Sequence, residues 1–273
     1  MVRINLFIFF CTFISNLTIA EGFPIVSRSE LFYASVADTS ATDFAISFGV
    51  RGGWYKNGNL KSSIPSDLNV ETDKLLPRWF INADIIGPGK WGIGFQYAGY
   101  QTEFEASRFF SRELSWWGIF TEHEDYIRVE ATGKSYSLSA LYRVTEYEKR
   151  RQLLEVILRG GVNYIRFTER QELHADLYIT PYSYGAATGN FDFNAKALNA
   201  FLSASCHLHF SRRLSLLMEL SESIPIINSE MPESSVTAYS VTSQVNTSKT
   251  IALGKHKQNT AGFTLGFGFT FHF

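Results

Sequence analysis

Cysteine and proline are scarce in this chain, neither sign of charge dominates, and long apolar runs are confined to its first residues. There are two cysteines, Cys11 and Cys206. Only Cys206 lies outside the N-terminal apolar segment, so a disulfide-stapled secreted scaffold is excluded. Lys and Arg number 25 against 26 Asp and Glu, a net charge of −1. That balance excludes a basic nucleic-acid footprint, and with this aromatic content it excludes an acidic, aromatic-poor disordered chain. Beyond the first twenty residues no run of 18 apolar residues occurs, so no spanning helix is expected there. No charge run, repeat or low-complexity block marks a second domain. The chain is instead rich in aromatics, with 24 Phe, 13 Tyr and 5 Trp.

Residues 1–20 have the three-part layout of a secretory signal. Arg3 precedes an apolar core from Leu6 to about Ile19, and Thr18 and Ala20 supply small residues before a cut ahead of Glu21. The core is broken by Thr12, Ser15 and Asn16, which argues against an uncleaved anchor. Residues 21–42 form a leader of mixed character, expected to lie in the periplasm or dock in the lumen, and 43–273 form the folded domain.

From Asp43 onward apolar residues recur at every second position, the strand period. The clearest case is the C-terminus. Ala261, Phe263, Leu265, Phe267, Phe269, Phe271 and Phe273 share one face, and Gly262, Thr264, Gly266, Gly268, Thr270 and His272 the other. A helix would scatter these phenylalanines around its circumference. Seven more alternating segments centre on Phe48, Ile81, Phe95, Leu138, Leu158, Leu202 and Leu216. Their connections alternate in length. Gly87–Lys90, Tyr147–Gln152 and Phe210–Arg213 are short, whereas 57–77, 103–133, 168–193 and 224–259 are long and expected to be loops.

An even number of alternating segments, with short turns at one end and long connections at the other, defines a closed antiparallel eight-stranded transmembrane β-barrel of up-and-down meander topology. Closure is compulsory in hydrocarbon, where an open edge would leave backbone groups unpaired. A soluble barrel or sandwich with its apolar face inward is the rival. Against it, the opposite face is rich in Gly, Ser and charge, and Trp79, Trp91, Tyr97, Tyr136, Tyr142 and Tyr164 lie near strand ends as a girdle would.

The terminal Phe273, preceded at period two by Phe271 and Phe269, resembles the C-terminal assembly signal of bacterial outer-membrane barrels. The chain from Asp43 onward resembles the small eight-stranded class that includes the transmembrane domain of outer membrane protein A. That resemblance implies a Gram-negative outer-membrane location, insertion by the barrel-assembly machinery, and contact with outer-membrane lipid and lipopolysaccharide. It implies no activity, because the class holds adhesins, enzymes, porin-like narrow pores and structural proteins.

Three functional readings follow. The favoured one is non-enzymatic: surface-exposed, adhesin-like contact with a host or envelope ligand through four long extracellular loops. Phe109, Phe110, Trp116, Trp117 and Phe120, set among charges, are the candidate contacts, although the same segment could instead extend its hairpin above the membrane. The second is a narrow pore or hydrophobic-solute transporter, with Arg51, Asp84, Arg143, Glu155, Arg159 and Glu219 forming a lumen charge network. Equal numbers of each sign suggest mutual pairing and a plug, and Arg143 and Glu155 flank one short turn symmetrically. The third is an enzyme modifying lipid A, since His209, Ser211 and Glu222 echo the order of residue types in outer-membrane deacylases. The strand between them separates His209 from Glu222 by far more than hydrogen-bond reach. His207 and His209 share the lumen face without a third ligand in sequence, so neither a metal nor a cofactor is expected.

Overall fold

The computed structural model describes residues 42–54, 58–75, 77–114, 120–144, 154–180, 183–211, 213–241, 246–258 and 260–273. The signal segment, nearly all of the leader, the turn around 147–152, Trp116 and Trp117 lie outside the described residues.

In chain order the strands are β1 (Asp43–Trp54), β2 (Asn69–Leu75), β3 (Arg78–Ile86), β4 (Trp91–Leu114), β5 (Phe120–Arg143), β6 (Leu154–Thr180), β7 (Ser183–His209), β8 (Leu214–Asn228), β9 (Glu230–Met231), β10 (Ser234–Val241), β11 (Asn246–Leu253), β12 (His256–Lys257) and β13 (Phe263–His272). One helical turn, Gly58–Lys61, follows β1. Eight strands pair antiparallel in the ring β1–β3–β4–β5–β6–β7–β8–β13, and β13 returns to β1 through pairs from Ala45–His272 to Trp54–Phe263. No free edge remains in the ring, as a backbone in hydrocarbon requires. Gly49 faces Gly268 across the closing seam, where a Cβ on either would overlap the opposite backbone.

Side chains pointing out of the wall are apolar and exposed. They include Phe48, Ile81, Ile93, Phe95, Leu138, Val162, Leu202, Phe267 and Phe269, with Trp91 65% exposed. Aromatic rings mark both margins of this belt. Trp91 lies 4.8 Å from Tyr142 and Phe44 5.8 Å from Phe273 at the short-turn end. At the other margin Trp79 lies 5.1 Å from Tyr97, and Tyr97 5.2 Å from Tyr136, with Tyr164 paired beside Tyr136. β13 carries the belt for ten residues, roughly 33 Å of extended chain and about 25 Å of height at the usual tilt.

One expectation needs correction. Segments 103–133 and 168–193 are not loops: β4 and β5 run 24 residues each, and β6 and β7 run 27. These strands continue beyond the aromatic margin as paired hairpins and form a second body, the head. The sequence missed them because their outward faces are charged. Arg128, Glu130, Arg170 and Glu172 replace the apolar residues that mark the wall. Within the head the inward face turns apolar. Leu60, Leu68, Phe104, Ala106, Ile127, Val129, Leu173, Ala175, Ala238, Ile251 and Leu253 form one buried core. The segments 57–77 and 224–259 are likewise not plain loops. Strand β2 pairs with β4, and the β10–β11 hairpin fills the head from within.

Candidate functional site

The lumen beneath the head is built from the small and polar face of every strand. At its short-turn end Arg143 donates to Glu155 Oε1 at 2.6 Å and to Asp43 Oδ2 at 2.5 Å. His209 Nε2 lies 3.2 Å from Glu155 Oε2, and His272 Nδ1 3.6 Å from Asp43 Oδ1. One level up, Arg159 grips Asp84 through both terminal nitrogens, each at 2.6 Å, with Arg159 3% and Asp84 1% exposed. Arg51 donates to Gln96 at 2.6 Å, and Gln96 to Asn82 at 2.7 Å. Glu219 is buried opposite Arg51, the two flanking Gly266.

Four of the six charges expected in the lumen form two direct ion pairs, and Arg51 and Glu219 lie on either side of Gly266 with no ion pair between them. Arg143–Glu155 and Arg159–Asp84 are ion pairs, whereas Arg51 spends its hydrogen bond on an amide. Sequence reasoning left out Asp43, Gln96 and Asn82. Asp43 opens β1, and only the β1–β13 closure sets it beside His272. A signal was present in the alternation, since Asp43 shares its parity with the inward residues Ala45 and Ser47.

Glu155, His209 and His272 bring three ligand-type atoms within 4.8 Å of one another. Of the two histidines weighed in the sequence only His209 belongs to this group; Glu155 and His272 join it from other strands, and His207 stands outside it. The pocket nevertheless already holds a cation: the Arg143 guanidinium engages Glu155 and Asp43 together, and a metal ion there would face that charge directly. The cluster is complete as an ion-pair lattice.

The lumen is also filled by apolar layers. Ile86, Leu141 and Ile157 pack near the short-turn end, and Phe80, Ala98 and Leu217 form another buried set. At the entrance to the head Tyr100, Ala131, Ile165, Phe167, Ala195, Ala197 and Met231 close together. Arg78 stacks over Tyr100 with its guanidinium carbon 4.5 Å from the ring. An eight-stranded barrel is only wide enough for its own side chains, and here they occupy it.

Above these layers, polar side chains seal the head. Buried Asp125 accepts from Arg108 at 2.8 Å and lies 2.6 Å from Lys249 Nζ, tying β4, β5 and β11 together. His123 Nδ1 lies 2.9 Å from Asp176. His256 donates from Nε2 to Glu169 at 2.8 Å and from Nδ1 to the Gly254 carbonyl at 3.0 Å, which suits the doubly protonated ring. Burial lowers its pKa, but the hydrogen bond and charge of Glu169 outweigh burial and leave it raised. Outside, Tyr126 donates to Glu172 at 2.8 Å; burial and Glu172 hold the phenol at about 12.

Among the loop-contact candidates, Phe109 is exposed on β4, next to the Arg108–Asp125 pair. Phe110 and Phe120 fall within β4 and β5, and Trp116 and Trp117 lie outside the described residues. The three residues weighed for hydrolysis stand apart. His209 faces Glu155 in the lumen, Ser211 Oγ accepts the Arg213 and Leu214 amides in the short turn, and Glu222, midway along β8, pairs with Phe263 where the β8–β13 ladder ends. Phe269, Phe271 and Phe273 line the outer wall at the seam, opposite Phe48, Ile46 and Phe44. Cys206 sits on the outward face between Val156 and Met218, which cover it.

A closed ring of eight strands with an apolar outside and a filled polar lumen is a transmembrane β-barrel of the outer-membrane type. Solved structures to which the chain is similar include three bacterial proteins. One is a major outer membrane protein from Thermus thermophilus, at 13% identity and a TM-score of 0.42, covering 85% of this chain and 100% of that one. Another is Ail, the attachment invasion locus protein of Yersinia pestis, at 10% and 0.37, covering 85% and 98%. The third is the outer membrane protease OmpT from Escherichia coli, at 11% and 0.34, covering 88% and 100%. No family model and no curated protein sequence matches the chain.

Proposed function

We propose that this protein is a non-enzymatic outer-membrane barrel that acts at the cell surface through its head. The observation carrying this reading is that the head is a preformed body with its own apolar core and a charged exterior. A rigid, pre-ordered surface loses little conformational entropy when it engages a partner. The partner expected is a host, matrix or envelope component, contacted by the hairpin ends that carry Phe109 and its neighbours.

Two rival functions fit less well. A pore must pass the Phe80–Leu217 and Tyr100–Met231 layers. Acyl hydrolysis must bring together a histidine at the end of β7, a serine in the turn that follows and a glutamate midway along β8.

The test is a trimmed variant in which short turns replace 107–124 and 173–188, displayed on a non-adherent bacterium. Attachment to cultured epithelial cells and to immobilised matrix proteins is expected to fall to background, while heat-modifiable migration shows that the barrel is intact. Undiminished attachment after trimming would overturn the proposal. So would steady single-channel conductance of the trimmed barrel, which would transfer the function to the lumen.

A further inference from the structure

We infer that the outer wall of β5, β6 and β7 carries a site for a phosphorylated glycolipid of the leaflet bordering the head. The candidate occupant is the acylated, phosphorylated disaccharide at the base of lipopolysaccharide. This goes beyond the surface role proposed above and is independent of what the head binds.

The site begins with three cations. Lys134 is the cross-strand partner of Arg166, and Arg166 of Lys196. All three are exposed and share the outward face. Like charges directly opposite one another destabilise a sheet, and nothing in the adjoining rows offsets them. The row above is Thr132, Thr168 and Asn194, the row below Tyr136, Tyr164 and Leu198, and Gly99 lies beside Lys134. Two neighbouring strands lie about 4.8 Å apart, so the row extends across roughly 10 Å. Such a row suits a pair of phosphate groups, which would remove the repulsion it now carries.

Position identifies the anion as part of a lipid. The cations stand one step above Tyr136 and Tyr164, at the margin of the apolar wall, where headgroups lie. Directly below the tyrosines, Leu138 and Val162 are exposed and paired across β5 and β6, offering a surface for acyl chains. One to two steps above the cations, an open concavity of about 200 Å³ is lined by Glu130, Thr132, Thr168, Arg170 and Asp192. Arg170 donates to Asp192 at 3.1 Å and is the cross-strand partner of Glu130, which tempers both carboxylates. The carboxylates accept from sugar hydroxyls, and the threonine hydroxyls both accept from and donate to them. From membrane to water the wall thus reads apolar, aromatic, cationic and then polar. An acylated phosphosugar has the same sequence of chemistries.

The experiment is native mass spectrometry of the full folded chain, released from detergent with diphosphoryl lipid A as the probe. One or two lipids should be retained by the unaltered protein, with binding that weakens as salt is raised. The K134Q/R166Q/K196Q variant should bind at least tenfold more weakly, while R213Q, altering an exposed cation at the opposite rim, should bind normally. Heat-modifiable migration checks that each variant is folded. A second arm needs no variant: dephosphorylated lipid A should bind the unaltered chain as weakly as diphosphoryl lipid A binds the triple variant. Equal retention by the triple variant, or of the dephosphorylated lipid, would overturn the site. Equal retention of phosphatidylglycerol would overturn its assignment to a glycolipid.

Discussion

Four long strands, β4 to β7, run through both the wall and the head, yet the polarity of the two regions is opposite. Along β5, Tyr136, Leu138 and Ala140 point outward and are exposed, while Ser135, Ser137 and Ser139 are buried. Ten residues earlier on the same two faces, Arg128 and Glu130 point outward, and Ile127, Val129 and Ala131 are buried. The backbone pairing does not change between the two regions. What changes is the solvent. Hydrocarbon outside the wall rewards an apolar exterior, and water outside the head rewards an apolar interior. Where the inversion falls, the tyrosine row and the Lys134–Arg166–Lys196 row mark the interface.

This contrast can be broken most severely inside the wall. Asp84→Ala would leave the Arg159 guanidinium buried without its partner, a loss of about 3–5 kcal/mol. Urea unfolding in detergent micelles should report it, and Asp84→Ala combined with Arg159→Met should recover most of the loss. Recovery would show that the pair is a matched plug, whose members cost more apart than absent.

A second prediction sets the two regions directly against each other. Leu138→Arg, on the lipid face, should cost about 2–4 kcal/mol in lipid bilayers. Arg128→Leu, on the same face of the same strand in the head, should change stability by only about 0.5 kcal/mol. Comparable costs at both positions would mean that both faces see the same solvent.

The smallest effect concerns pH, and it should be confined to the head. The raised pKa of His256 means that its bond to Glu169 is fully effective below about 6.5 and fades as pH rises through the raised value. Hydrogen exchange in β9, β12 and adjoining β6 should accelerate over that range, by an amount on the order of 1–2 kcal/mol. His256→Gln should flatten the dependence while exchange in the wall stays unchanged.

These regions also differ in how much of them could be read in advance. All eight wall strands were legible, because lipid selects apolar residues at every second position and short polar connections such as Gly87–Lys90, with two Gly and a Pro, separate them. The left-handed Lys90, at φ 69°, sits in one such turn, beside Gly89. The head strands were hidden because their buried face mixes Ile127 and Leu173 with Asp125, Glu169 and Gln171. No simple alternation survives that mixture. The lumen charges were legible by parity alone, but their partners were not. Arg159 and Asp84 are 75 residues apart and meet only across the closed ring. Asp43 reaches His272 only through the seam between the first and last strands. In the same way, the cationic row emerges once the registers of three strands are known, since each residue by itself is an ordinary surface charge.

The most direct test of the inversion is a nitroxide scan of β5 from residue 126 to 142 in lipid bilayers, in a Cys206→Ser background. Even-numbered positions 136 to 142 should be accessible to oxygen dissolved in the acyl chains, even-numbered positions 126 to 134 to a water-soluble nickel complex, and odd-numbered positions to neither. Nickel accessibility running unbroken through 136 to 142, or an exchange of the even and odd patterns, would contradict the account.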